Sequence, residues 1–157
     1  MIVAGLDVGD RRIGIAATDP TATLASPRTT LERRSWAEDR ERLCRLLRDL
    51  GAALVVVGVP LNADGSAGEQ AQKARRFGRR LAGACGLPVV FWDEWMSTQE
   101  AQEALRTAGR RRGARRRTLD AASAAVILQR YLEAQRRQEH DAVQATGTAS
   151  HAGVATT

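Results

Sequence analysis

The sequence predicts an α/β fold: a mixed five-stranded sheet with helices on both faces. Three observations point there. Two short apolar segments, residues 2–6 and 12–18, flank a tight Asp7-Val8-Gly9-Asp10 turn and open the chain as a hairpin. Two later apolar runs, 54–59 and 88–92, alternate with helical patterns, as βαβ units do. The length of 157 residues with 43% hydrophobic content suits one domain with its own core.

Each element has a local reason. Residues 2–6 are apolar and stop at Asp7, while 12–18 are rich in Ile and Ala. A third extended piece, 24–31, contains Pro27, which lacks a ladder donor and belongs at a sheet edge. Leu43, Leu46, Leu47 and Leu50 recur at helical spacing within 36–50, and Gly51 ends that helix. The run 54–59, four of its six residues valine, predicts a central strand covered on both faces. A loop dense in turn formers, 60–68, leads to a second helix over 69–85 closed by Gly86 and Pro88. A further buried strand, 88–92, delivers Asp93 and Glu94 at its C-terminal end. Ser97 and Glu100 form a capping box for a third helix. The last helix spans 118–137 and is opened by Asp120. Residues 138–157 contain no Leu, Ile or Phe and are expected to be a disordered tail, leaving 1–137 as the folded domain.

Composition narrows the function. No apolar run approaches the ~20 residues of a membrane span, and the start lacks the basic front of a signal peptide, so a cytoplasmic protein is expected. Cys44 and Cys85 are then expected to be two small buried hydrophobes rather than a disulfide. Both histidines, His140 and His151, fall in the tail, which argues against histidine catalysis. The net charge is +6, yet residues 106–117 alone carry seven arginines and no acid, which leaves the remainder at −1. The protein is near neutral with one basic segment, expected to be a mobile loop that contacts phosphates through Arg110, Arg111, Arg112, Arg115, Arg116 and Arg117. Arg11 and Arg12, beside Asp7, can add to these contacts. Aromatic residues are only 4%, which disfavours a base-stacking platform.

Asp7, the Asp93-Glu94 pair and Asp120 all end or open elements, and in an open α/β sheet ligands bind beyond the strand C-termini. Strand alternation sends Asp93 and Glu94 to opposite faces, so one of them reaches the site. Carboxylates gathered without His or Cys favour a hard cation, Mg²⁺ or Mn²⁺.

The stretch LDVGDRRIGIA at 6–16 resembles the opening of the YqgF/RuvX family, RNase H-like proteins described as Holliday junction resolvases and pre-16S rRNA nucleases. VGVPLNADGSAG at 57–68, DEWMST at 93–98, and Asp120 with Ala124, Ala125, Ile127, Leu128 and Gln129 are similar to its other motifs. The resemblance implies an RNase H-like fold and divalent-metal-dependent cleavage of phosphodiesters in branched DNA or precursor rRNA. Asp7, Glu94 and Asp120 are then the catalytic, metal-holding acids, with Asp7 bridging two ions. One position departs: an arginine usually follows Asp-Glu, and here it is Trp95. If that arginine binds phosphate or orients the glutamate, another arginine must replace it. Asp64 is a further acidic candidate, although Asp64-Gly65 reads first as a turn. A DNA-junction substrate suits a two-fold homodimer, whereas an rRNA end needs only a monomer. The alternatives are a non-catalytic nucleic-acid-binding factor and, further off, an ATP-binding module of the actin and sugar-kinase type.

Overall fold

The computed structural model describes residues 1–95 and 114–149, with the side chains of the last helix described from 119 to 147. Its elements are β1 (Ile2–Val8), β2 (Arg12–Thr18), β3 (Ala25–Glu32), α1 (Trp36–Leu50), β4 (Ala52–Leu61), α2 (Glu69–Cys85), β5 (Val89–Trp95) and α3 (Ala114–Ala149). The strands form one five-stranded sheet in the order β3-β2-β1-β4-β5. β1, β2 and β3 pair antiparallel, whereas β4 is parallel to both β1 and β5. The sheet is mixed, as the hairpin start and βαβ continuation predict.

Alternation along the strands divides the core in two. Ala4, Leu6, Ile13, Ile15, Val55 and Val57 face α1 and α2, where they pack with Leu43, Leu47, Phe77 and Leu81. Val3, Ala16 and Val56 face α3 and pack with Ala124, Ile127, Leu128 and Leu132. The helix ends follow capping chemistry. Ser35 Oγ accepts from the Glu38 N–H at 3.2 Å to start α1, and Gly51, at φ 71°, takes the left-handed turn that ends it.

Four sequence expectations change. β5 is an edge strand, mostly half-buried or exposed, because only β4 flanks it. α3 begins at Ala114, so Arg115, Arg116 and Arg117 lie in a helix, and Asp120 sits in its second turn. Arginine is a good helix former, and no glycine follows Gly113 until Gly147. At the other end α3 continues past Arg137 to Ala149, across a stretch whose composition predicts disorder. Every residue from 136 to 147 is exposed. Missing Leu, Ile and Phe mark the absence of burial there, but extending an existing helix requires only tolerable propensity. Finally, Cys44 and Cys85 form a disulfide joining α1 to the end of α2, with Cα atoms 5.2 Å apart. Each cysteine's half-buried setting was foreseeable, but their juxtaposition depends on how two helices align. The helix expected from Ser97 and most of the arginine-rich segment lie outside the described residues.

One buried ion cluster braces the turn after β1. Asp39, only 2% exposed, accepts from the Arg34 N–H at 2.9 Å and from Arg42 Nη2 at 3.0 Å, and pairs with Arg33 Nε at 3.6 Å. Arg33 lies over the Phe77 ring and donates from Nη1 to the Gly9 carbonyl at 3.1 Å. α1 therefore grips the turn that follows Asp7. Asp39→Ala leaves two partly buried guanidinium groups unpaired and is expected to destabilise the protein by about 3 kcal/mol, the lower part of the range for breaking such a pair. Chemical denaturation measures this, and a loss below ~1 kcal/mol, the size of an exposed pair, would contradict the bracing role.

Candidate active site

The sheet face under α3 carries the site. Counting alternately, Asp7 of β1, Arg12 of β2 and Glu94 of β5 share a face with Val3, Ala16 and Trp92, which pack toward α3. Asp7 lies opposite Gly14 in the β1–β2 ladder, and the α3 backbone at Asp120 passes directly over Gly14. A Cβ on Gly14 would stand 1.9 Å from the Asp120 carbonyl oxygen. Glycine at 14 is thus what brings Asp120 down beside Asp7. Gly5 makes the same kind of seat one step along, where a Cβ would come within 2.8 Å of Leu128 Cβ.

Electrostatics link the three carboxylates. Burial, and then the charges of Asp120 and Glu94, together raise the Asp7 pKa from 3.8 to about 6. Asp120 accepts from Arg12 Nε at 2.7 Å, a pair in which both side chains are about three-quarters buried. Glu94 accepts from Arg130 Nη1 at 3.0 Å; Glu94 is 20% exposed and Arg130 57%. Asp7 has no cationic partner among the described residues.

The structure brings Asp7, Glu94, Asp120 and Arg12 together. Asp93 points to the opposite face, where it pairs with Arg75 at 3.4 Å, so Glu94 is the member of the pair at the site. Arg11 is exposed at the hairpin turn. Arg110, Arg111 and Arg112 lie outside the described residues; Arg115, Arg116 and Arg117 lie in the first turn of α3, with their side chains outside them. Asp64 is an exposed turn residue whose carboxylate accepts from the Ser66 N–H at 2.9 Å and Oγ at 2.6 Å, next to Gly65 at φ 82°. Sequence reasoning missed Arg130. Its signal was indirect: Trp95 leaves Glu94 without an arginine neighbour, and position 130 adjoins Tyr131 on the helix.

In chemistry the donor set suits a hard divalent cation: three carboxylate groups that repel one another and no nitrogen or sulfur ligand. In spacing it is not assembled, since no three acidic, His or Cys groups stand at metal-holding distance among the described residues. Two of the three carboxylates are engaged by arginine instead.

Residues 1–134 match the RuvX family, described as Holliday junction resolvase. The chain belongs to this nuclease family. A protein of Syntrophus aciditrophicus named "Putative pre-16S rRNA nuclease" is 42% identical over 134 residues, covering 85% of this chain and 89% of that protein. One of the same name from Caldanaerobacter subterraneus is 40% identical over 137 residues, covering 87% of this chain and 99% of the other. Among solved structures, Thermus thermophilus RuvC in complex with a Holliday junction substrate superposes with a TM-score of 0.51 at 16% identity, covering 87% of this chain and 96% of that one. That likeness bears on the fold, which is RNase H-like. Membership of this nuclease family carries the hydrolysis of phosphodiester bonds. No described helix is long and apolar enough to cross a membrane.

Proposed function

We propose that the protein trims the 5′ end of the 16S rRNA precursor in the cytoplasm, using Mg²⁺ or Mn²⁺ held by Asp7, Glu94 and Asp120. The observation that carries this reading is the convergence of those three carboxylates at one sheet face, where burial first, and then the charges of Asp120 and Glu94, raise the Asp7 pKa to about 6. Relatives about 40% identical over nearly their whole length bear the rRNA name, which supports the substrate.

When bound, divalent metal supplies an activated water and stabilises the leaving oxygen. This chain's residues do the rest. Asp7 lies on the middle strand, within electrostatic reach of Asp120 and Glu94, and would hold the metal together with them. Arg12, beside Asp120, is placed to contact a phosphate next to the scissile bond. Arg11 and the arginines of 110–117 neutralise phosphates farther along and hold the backbone in the crevice without reading bases.

The family description favours a second substrate, a four-way DNA junction, which two active sites in a homodimer would resolve. A side-by-side assay with Mn²⁺ on a 5′-extended 16S rRNA fragment and a synthetic four-way junction decides between them, alongside the mass in solution. Cleavage of the RNA by a monomer is the expected result. Preferential junction cleavage by a dimer would transfer the function to DNA. Cleavage no faster than that of the Asp7→Ala/Glu94→Ala/Asp120→Ala variant would leave only a nucleic-acid-binding factor.

A further inference from the structure

We infer that Arg12 and Arg130 are exchangeable counterions of the acidic site: they occupy Asp120 and Glu94 while no nucleic acid is bound, then move to the phosphates of an incoming strand and release both carboxylates for metal. The inference rests on the metal-site reading above and adds how that site is regulated.

Four observations carry it. First, the two flanking acids are each satisfied by one guanidinium, at 2.7 Å and 3.0 Å, and the described residues contain no group of three ligands at metal-holding distance. The site is closed by internal ion pairs. Second, the balance is incomplete. Three carboxylates face two guanidinium groups, and Asp7, on the middle strand, has no cation of its own among the described residues. A divalent cation is still attracted, but it must compete with the arginines for two of its three ligands.

Third, each arginine is anchored so that only its side chain needs to move. Arg12 begins β2, whose ladder to β1 and β3 holds its backbone. Arg130 precedes Tyr131, whose ring packs edge-on against Trp92 of β5 at 6.2 Å. Arg130 is itself 57% exposed, so its head has an open route from Glu94 to solvent. Fourth, a guanidinium exchanges a carboxylate for a phosphate with little loss, because both present paired oxygens to the same planar fork. Trp95 fits this arrangement. It is 69% exposed and offers Glu94 no charge, so the cation that orients Glu94 comes from α3 instead of the neighbouring position.

The consequence is cooperativity. Nucleic acid that draws off the arginines exposes metal ligands, and metal that takes the ligands frees arginines for phosphate. By linkage the two effects are equal in size. Metal would then bind tightly only where there is a strand to cleave.

The test measures Mn²⁺ binding by calorimetry, with and without a 20-nucleotide RNA hairpin carrying non-cleavable phosphorothioate linkages. In the parent, the hairpin is expected to tighten Mn²⁺ binding about tenfold, within the usual range of coupling between sites. Arg130→Gln is expected to bind Mn²⁺ about tenfold more tightly without RNA and to lose most of the RNA effect. Arg130→Lys, which keeps the charge without the planar fork, should restore only part of it, and Arg12→Gln should repeat the Arg130→Gln result at Asp120. A purely structural arginine would not shift metal affinity while leaving the thermal midpoint unchanged. Equal, RNA-independent Mn²⁺ affinity in the parent and Arg130→Gln would overturn the counterion exchange and leave the metal site intact. No Mn²⁺ binding by any variant, with or without RNA, would overturn the metal-site reading and this inference with it.

Discussion

Asp7→Asn is expected to lower metal-dependent cleavage about a thousand-fold, the upper part of what removing one preorganised electrostatic group costs, while making the metal-free protein more stable. Both effects have one origin. Burial chiefly, and then the charges of Asp120 and Glu94, raise the Asp7 pKa from 3.8 to about 6. Between those values the folded chain holds a proton that the unfolded chain has released. Stability from this group is therefore full below about pH 4 and is lost as pH rises through 6. Above that, ionised Asp7 costs about 3 kcal/mol, by the usual conversion of a pKa difference to free energy. Asparagine keeps the shape and removes the charge. In EDTA, its melting temperature should match the parent's near pH 4 and exceed it at pH 7.5. Added Mn²⁺ should raise the parent's melting temperature and not the variant's, because only the parent keeps the central ligand. A variant as active as the parent at saturating Mn²⁺, or a stability difference independent of pH, would remove Asp7 from the centre of the site.

The same residues show what could be read before any coordinates. Strand and helix periodicity located α1 and α2 to the residue, since leucine spacing and terminal glycines mark them. Pro27 marked β3 as an edge. Alternation correctly separated Glu94 from Asp93, because that argument needs only the period of a strand. Other features depend on how distant segments meet, which local pattern does not encode. Arg130 and Glu94 are 36 residues apart in sequence, and Cys44 and Cys85 are 41. The length of α3 was misjudged for a different reason. Hydrophobic pattern reports which side of a helix is buried, so it is silent where a helix extends into solvent, as residues 136–147 do. Gly14 lies between these cases. It stands inside a strand, where a missing side chain admits close backbone approach, but no local pattern marks Asp120 as its partner.

That partner makes Gly14→Ala the most informative change away from the charged groups. A methyl group at 14 would meet the Asp120 carbonyl oxygen at 1.9 Å and the carbonyl carbon at 2.3 Å. Both atoms are backbone in a helix tied elsewhere to the sheet through Leu128 and Ile127, so no side chain can turn aside to make room. The N-terminal part of α3 must lift, and Asp120 lifts with it, away from Asp7 and Arg12. Overpacking of this kind costs about 1–3 kcal/mol. The larger effect should be on cleavage, because a displacement of about 1 Å in a catalytic group can cost ~100-fold in rate. Gly83→Ala is the control: it adds the same methyl to α2 with no atom within 4 Å, and alanine's helix propensity should leave activity unchanged and stability equal or higher. The two predicted losses can be separated by measuring single-turnover cleavage well below the variant's melting temperature, where the folded fraction is complete. If Gly14→Ala cleaves at the parent rate under those conditions, Asp120 tolerates displacement and cannot be a ligand whose position governs the reaction. If cleavage falls about a hundred-fold while Gly83→Ala is unaffected, the packing of α3 on β2 sets the geometry of the acidic site.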